Sequence, residues 1–196
     1  MHSTLEVERT MGPERLEELR RRAEERPDSA VAQFNLGLAL GQRGLVDRAE
    51  RIYRRALELD PDLVEAWVNL GGVLLLKWDF RGCLEANTEA VKRKDDLLAA
   101  HYNIGQACLY LGDAEGLVRA VRRVLALDPA HAAGHYFLAV GLLAVGQVRE
   151  ARQALSTAIA LGHRPLPEFL RGLDRAEQAL TQAQTGDRGS REPEST

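Results

Sequence analysis

Apolar residues return along this chain at helical spacing, and the pattern itself returns at a fixed longer interval. From Pro13 to Arg26 the apolar positions are Leu16, Leu19 and Ala23, one face of a helix that opens on proline. From Pro167 to Gln184 they are Phe169, Leu170, Leu173, Ala176 and Leu180, again one helical face. Between these segments the triplet Asn-Leu-Gly stands at 35–37 and at 69–71, and Asn-Ile-Gly at 103–105. Both steps, 69 − 35 and 103 − 69, are 34 residues. A further step lands on Phe137-Leu138-Ala139, where the apolar residue survives and glycine becomes alanine. The segment ends keep the same beat: Leu59-Asp60-Pro61 and Leu127-Asp128-Pro129 lie two periods apart, and Pro27 one period before Pro61. A repeat of this length means stacked supersecondary units that share one continuous core.

The period and pattern resemble the tetratricopeptide repeat, a unit of two antiparallel helices, A and B. The resemblance predicts an all-α, right-handed α-solenoid with units at 30–63, 64–97, 98–131 and 132–165. A half-repeat helix at 13–27 precedes them and a capping helix at 166–185 covers the far end. Residues 1–12 are read as a flexible N-terminus, and the polar stretch 186–196 as a disordered tail. Small residues fall where two helices must approach: Gly37, Gly71, Gly105 and Ala139 at the eighth place, Ala49 and Ala151 at the twentieth, Ala56, Ala90 and Ala158 at the twenty-seventh. Tyr53 and Trp67 are large fillers, and Asp62 with Glu65 reads as a capping pair. The departures gather in the second and third units. They are Trp78 where the inter-helix turn usually has glycine, Cys83, Leu117 and Val124 at places usually alanine, and Asp95 for the closing proline.

The resemblance also implies where a ligand would lie. Helices A line a concave groove, and the sixth place, which faces it, carries Asn35, Asn69 and Asn103. This looks like the asparagine ladder of some grooves in the family. A carboxamide offers both donors and an acceptor, so a row of them can track the backbone of an extended peptide. Phe34, Val68, Tyr102 and Tyr136 occupy the fifth place, and Leu38, Gly72, Gln106 and Val140 the ninth. The candidate groove residues are therefore Asn35, Asn69, Asn103, Phe34, Leu38, Val68, Tyr102, Gln106 and Tyr136, with the two tyrosines as rigid anchors. The cationic clamp that captures acidic C-termini in some relatives is missing, since Val31, Glu65 and Ala99 stand at the second place.

Composition narrows the picture further. The chain is 45% hydrophobic and 28% charged with a net charge of −3, which exerts no general pull on nucleic acid. Two cysteines, Cys83 and Cys108, sit in apolar helical stretches and read as buried free thiols. There is no secretory leader pattern and no membrane-length apolar run, so a cytoplasmic location is expected by default. No phosphate loop, nucleophile elbow or serine triad is present, and no catalytic residue is assigned. His131 and His135 lie one helical turn apart but lack a third ligand, so no metal and no cofactor are expected. Arg20, Arg54 and Arg122 share one repeat position and Arg21, Arg55 and Arg123 the next; Glu17, Glu18, Glu50 and Glu58 balance them on a solvated face. The expected function is a non-enzymatic adaptor or scaffold that binds a protein or peptide, with no nucleic acid or membrane partner. Two alternatives stay open: a self-associating solenoid (a homo-oligomer), or a docking subunit of a separate enzyme.

Overall fold

The computed structural model describes residues 13–189, and among them every regular element is an α-helix. The expected N-terminal segment 1–12 and residues 190–196 of the expected tail lie outside the described residues. Ten helices follow one another: α1 (Pro13–Glu25), α2 (Ala30–Gln42), α3 (Val46–Leu59), α4 (Val64–Leu76), α5 (Phe80–Arg93), α6 (Leu98–Leu111), α7 (Ala114–Leu127), α8 (Ala132–Ala144), α9 (Val148–Ala160) and α10 (Pro167–Gly189). The chain forms two compact units divided after Leu111, inside the third repeat.

In the first unit each helix packs on its predecessor, and the A helices α2, α4 and α6 are also neighbours in turn. The core runs from Leu16 and Ala23 of α1 through Leu40, Tyr53, Leu70 and Leu74 to Ala107 of α6. Its geometry rests on the small places. A Cβ on Gly37 would stand 2.8 Å from the Tyr53 ring, and one on Gly71 would collide with the amide of Asn87. Cys83 fills the place of Ala49 and is fully buried, so this departure is absorbed by the packing.

In the second unit α7, α8, α9 and α10 pack in sequence. Leu155 and Leu173 are fully buried there, and Phe169 and Leu170 of α10 lie against the same core. Arg152 of α9 reaches Glu177 at 2.6 Å and Asp174 at 2.5 Å on α10. Those bonds, Glu177 first, push its guanidinium further up its already high range. Leu117 and Val124, at places usually alanine, are also buried in full.

Helix starts follow ordinary capping chemistry. Ser29, Asp79, Asp113 and His131 each accept the backbone N–H three residues on, at 3.2, 2.9, 2.8 and 2.9 Å. The expected Asp62–Glu65 capping pair is not formed. Leu63 occupies the cap of α4 without a side-chain bond. Asp60 takes the N–H of Asp62 at 3.0 Å, and the Asp62 carboxylate instead meets Arg93 at 3.1 Å. The capping helix also runs past its expected end. Gly186 does not stop it, and residues 186–189, assigned to the tail, continue α10; a single glycine costs only about 1 kcal/mol in a helix.

A recurrent bond joins the second, third and fourth repeats each to the turn before it. At the fourth place, Trp67 Nε1 donates to the carbonyl of Pro61 at 2.8 Å. His101 Nε2 meets the carbonyl of Asp95 at 2.8 Å, and His135 Nε2 that of Pro129 at 2.9 Å. A carbonyl only accepts, so both histidines carry their proton on Nε2 when neutral. Each ring reaches back six residues. Each side chain thus ties the start of its repeat to the turn before it.

The turn between helices A and B needs a left-handed residue. Gly44, Gly112 and Gly146 supply it with φ of 71°, 75° and 79°. In the second repeat Trp78 holds φ 62° at the same place. A residue with a Cβ there bears a penalty of about 1–2 kcal/mol that glycine does not.

Candidate functional site

The groove residues of the first unit come from α2, α4 and α6. Asn35 is exposed, and Phe34, Leu38, Val68, Asn69, Tyr102, Asn103 and Gln106 are all half-buried. Burial raises the hydroxyl pKa of Tyr102. Phe34 leans inward, its ring 6.0 Å from Tyr53.

The three asparagines are held differently. Asn69 donates its Nδ2 to the carbonyl of Glu65, one turn back, at 2.7 Å. That acceptor can only accept, so the Asn69 Oδ1 is directed away from it. Asn103 is held by a chain of bonds. Asn87, fully buried, donates its Nδ2 to the carbonyl of Cys83 at 2.8 Å. Its Oδ1 then accepts from Asn103 Nδ2 at 3.2 Å. Because the chain ends on a carbonyl, the orientation of every amide in it is determined. Asn103 is left with its Oδ1 and one N–H for a ligand. A long contact from the Cys83 thiol to the Asn103 carbonyl, 3.7 Å, ties the backbone of the same residue. Burial pushes the Cys83 thiol up to about 11, so it stays protonated.

Asn35 has a different neighbourhood. It borders a hollow of about 430 Å³ between α1 and α2, whose walls include Glu18, Arg21, Arg22, Glu25 and Arg26. Arg21 bonds Glu18 at 2.6 Å and Glu25 at 2.7 Å, and Arg22 bonds Glu18 at 2.7 Å. Arg21, then Arg22, hold the Glu18 carboxyl below its usual range. This end of the row is bordered by five charged side chains, four from α1 and Arg26 just after it.

Tyr136 lies in the second unit and belongs to an aromatic cluster. Its ring stacks on His163 at 4.3 Å and meets Phe169 edge-on at 5.3 Å. Burial raises its hydroxyl pKa, against a smaller lowering by a backbone hydrogen bond with Leu166.

Several other expectations meet their geometry here. His131 caps α8 through Nδ1 while His135 binds Pro129, so both rings serve local structure. Arg20 pairs with Glu17 at 3.3 Å, Arg55 with Glu58 at 3.0 Å, and Arg54 with Glu50. These are the carboxylates named for the balanced face. Cys83 and Cys108 are buried and stand outside any disulfide. Among the described residues no helix is long and apolar enough to cross a membrane.

Sequence reasoning missed Asn87 and the contribution of α1. A signal for Asn87 existed. The twenty-fourth place holds Tyr53, Val121 and Leu155 in the other repeats, all buried, and Asn87 is its one polar occupant.

Comparison with known proteins agrees with this architecture. Family models described as tetratricopeptide repeat match residues 30–73 and 98–131. A crystal structure of MamA superposes with a TM-score of 0.71 at 16% identity, covering 75% of this chain and 86% of that one. A MamA structure from Desulfovibrio magneticus RS-1, beginning at residue 41, gives 0.70 at 22% identity over 76% and 84%. At these identities the likeness is one of fold. Human protein O-mannosyl-transferase TMTC1 is 41% identical over 44 residues, which is 22% of this chain and 5% of that protein's length.

Proposed function

Since the chain is a tetratricopeptide-repeat protein, and so in general terms an interaction scaffold, we propose that it binds an extended or helical segment of a partner protein along the A helices of its first unit. Asn35, Asn69 and Asn103 contact the ligand main chain. Phe34, Leu38, Val68, Tyr102 and Gln106 form the surrounding surface. The role is non-enzymatic, as an adaptor or assembly scaffold, without cofactor, nucleic acid or membrane. Its setting is cytoplasmic, where Cys83 and Cys108 remain thiols.

One observation carries the reading: the carboxamides of Asn69 and Asn103 are each anchored through one N–H, which leaves a carbonyl oxygen and a second N–H on each. A preoriented acceptor loses less freedom when it binds. Such a row suits a ligand main chain, which offers N–H donors and C=O acceptors in alternation.

The test is random-peptide display against the purified full chain, followed by binding measurements on the selected peptides. The Asn35, Asn69, Asn103→Ala triple variant is expected to bind them at least about tenfold more weakly, from three lost hydrogen bonds of about 1 kcal/mol each. Its helical circular dichroism should be retained. Equal affinity for a folded triple variant overturns the proposal.

A further inference from the structure

The strained turn of the second repeat carries side chains that the core does not need. Trp78 is 71% exposed at the backbone position that three other repeats give to glycine, so burial does not offset its conformation. Its ring meets Phe80 edge-on at 5.9 Å and Tyr110 at 5.8 Å and 61°. Phe80 stacks on Tyr110 at 4.4 Å, nearly parallel at 5°. Phe80 in turn packs against the core of the first unit. The two outer rings are therefore fixed, and their faces meet in an open corner. Leu76, 68% exposed, stands two residues before Trp78, and Tyr110 is 56% exposed.

Asp79, between Trp78 and Phe80, caps α5 through its carboxylate; the Trp78 indole, the Tyr110 hydroxyl and Arg81 can each donate a hydrogen bond. Among the described residues neither the Trp78 indole N–H nor the Tyr110 hydroxyl has a hydrogen-bond partner. Arg81, next to Phe80 in the first turn of α5, is exposed and has no ion pair among the described residues. Lys77 is already held by Asp47 and Glu50. The surface thus offers flat apolar rings, neutral donors and one unpaired cation.

Size decides against a second copy as its occupant. The exposed parts of Leu76, Trp78 and Tyr110 amount to roughly 400 Å², within the range of functional patches. A stable dimer buries about 800 Å² per partner. A short linear segment fits the smaller area. The donors call for a ligand rich in free carbonyls, and the rings for flat apolar side groups. A polyproline II segment supplies both: its carbonyls are unpaired, its prolines have no N–H, and it is ordered before it binds. Arg81 adds a place for an acidic residue.

We propose that the Trp78–Phe80–Tyr110 surface is a docking site for a proline-rich segment of a partner protein, with an acidic residue beside Arg81. It shares no residue with the asparagine row and stands or falls separately from it.

The experiment is fluorescence anisotropy of labelled peptides on the full chain. The probes are a decaproline with two terminal glutamates, plain decaproline, and a Gly/Ser peptide bearing the same glutamates. Saturable binding is expected for the first, weaker for the second, and none for the third. Trp78→Gly and Tyr110→Ala should each weaken the first at least about tenfold, as central aromatic anchors do. Arg81→Ala should reduce it to the level of plain decaproline. Trp78→Gly restores the residue that this turn favours, so its melting temperature should not fall, which separates lost binding from lost folding. No saturable binding, equal binding of the Gly/Ser peptide, or full affinity in Trp78→Gly overturns the proposal. So does a concentration-dependent mass, or an affinity for phosphatidylserine vesicles, that Trp78→Gly alone abolishes, since the occupant is then a second copy or a lipid surface.

Discussion

The first and second repeats meet the same packing requirement with opposite chemistry. In both, a glycine of helix A lies against the twenty-fourth residue of its unit. In the first repeat that residue is Tyr53, an aromatic plug against Gly37; in the second it is Asn87, a carboxamide against Gly71. Both side chains are buried, at 1% and 0% exposure. The plug ends in itself, whereas the carboxamide accepts a hydrogen bond from Asn103 on the next A helix. A core position can therefore serve the packing alone, or serve it and also orient a surface group.

The comparison can be broken most severely at Tyr53. Tyr53→Ala removes the largest fully buried side chain among the described residues and should cost about 3–5 kcal/mol. Chemical denaturation read by tryptophan fluorescence measures this selectively, because Trp67 and Trp78 both lie in the first unit. A loss under about 1 kcal/mol would show that the unit closes around the gap. Asn87→Ala should cost less, about 1–3 kcal/mol, since the Cys83 carbonyl keeps its helical N–H donor and what is lost is the packing against Gly71 and the bond from Asn103. Unlike Tyr53→Ala, it should also weaken peptides selected on the groove, because the Asn103 amide loses its anchor. Unchanged peptide affinity in a folded Asn87→Ala protein would reduce Asn87 to packing.

Alkali sharpens the contrast, because only one of the two groups ionises. Burial raises the Tyr53 hydroxyl from 10.0 to about 12. A phenol whose folded pKa exceeds its unfolded one contributes in full below pH 10, and the contribution fades as pH rises towards 12. The denaturation midpoint should fall over that interval, and less steeply in Tyr53→Phe. The smallest effect is a gain: Trp78→Gly should stabilise the first unit by about 1 kcal/mol through relief of its positive φ. A loss of stability there would mean that the aromatic corner also supports the fold.

Much of the architecture was legible because a solenoid repeats its constraints. The 34-residue interval places the helix pairs, and the small places mark where helices touch. What escaped detection was not periodic. Asn87 breaks the pattern at a place whose usual occupant is apolar, and its partner lies sixteen residues away on another helix. The α1 charges near Asn35 belong to a half-repeat, which the unit pattern does not describe. Trp78 is visible in the sequence as an odd residue, but the left-handed backbone that makes it costly is a property of the turn. The Asp62–Glu65 spacing resembled a cap, yet Asp60 and Arg93 offered those groups other partners. At the site, three asparagines in register were readable. That two of them are anchored, and by what, needed coordinates.

The bond from each fourth-place ring to the carbonyl six residues back has a consequence for how such a chain can lengthen. Every unit from the second to the fourth brings a donor near its start, and the turn closing the unit before it brings the acceptor. The ends are thus complementary, as plug and socket are. Inserting or excising a whole multiple of the period keeps each donor matched to an acceptor, while a cut at any other length strands one of each. Indole and imidazole meet the specification equally, since it asks only for a ring N–H at a set reach. The side chain can therefore drift between types while the joint survives, and growth by duplication needs no new invention at the seam.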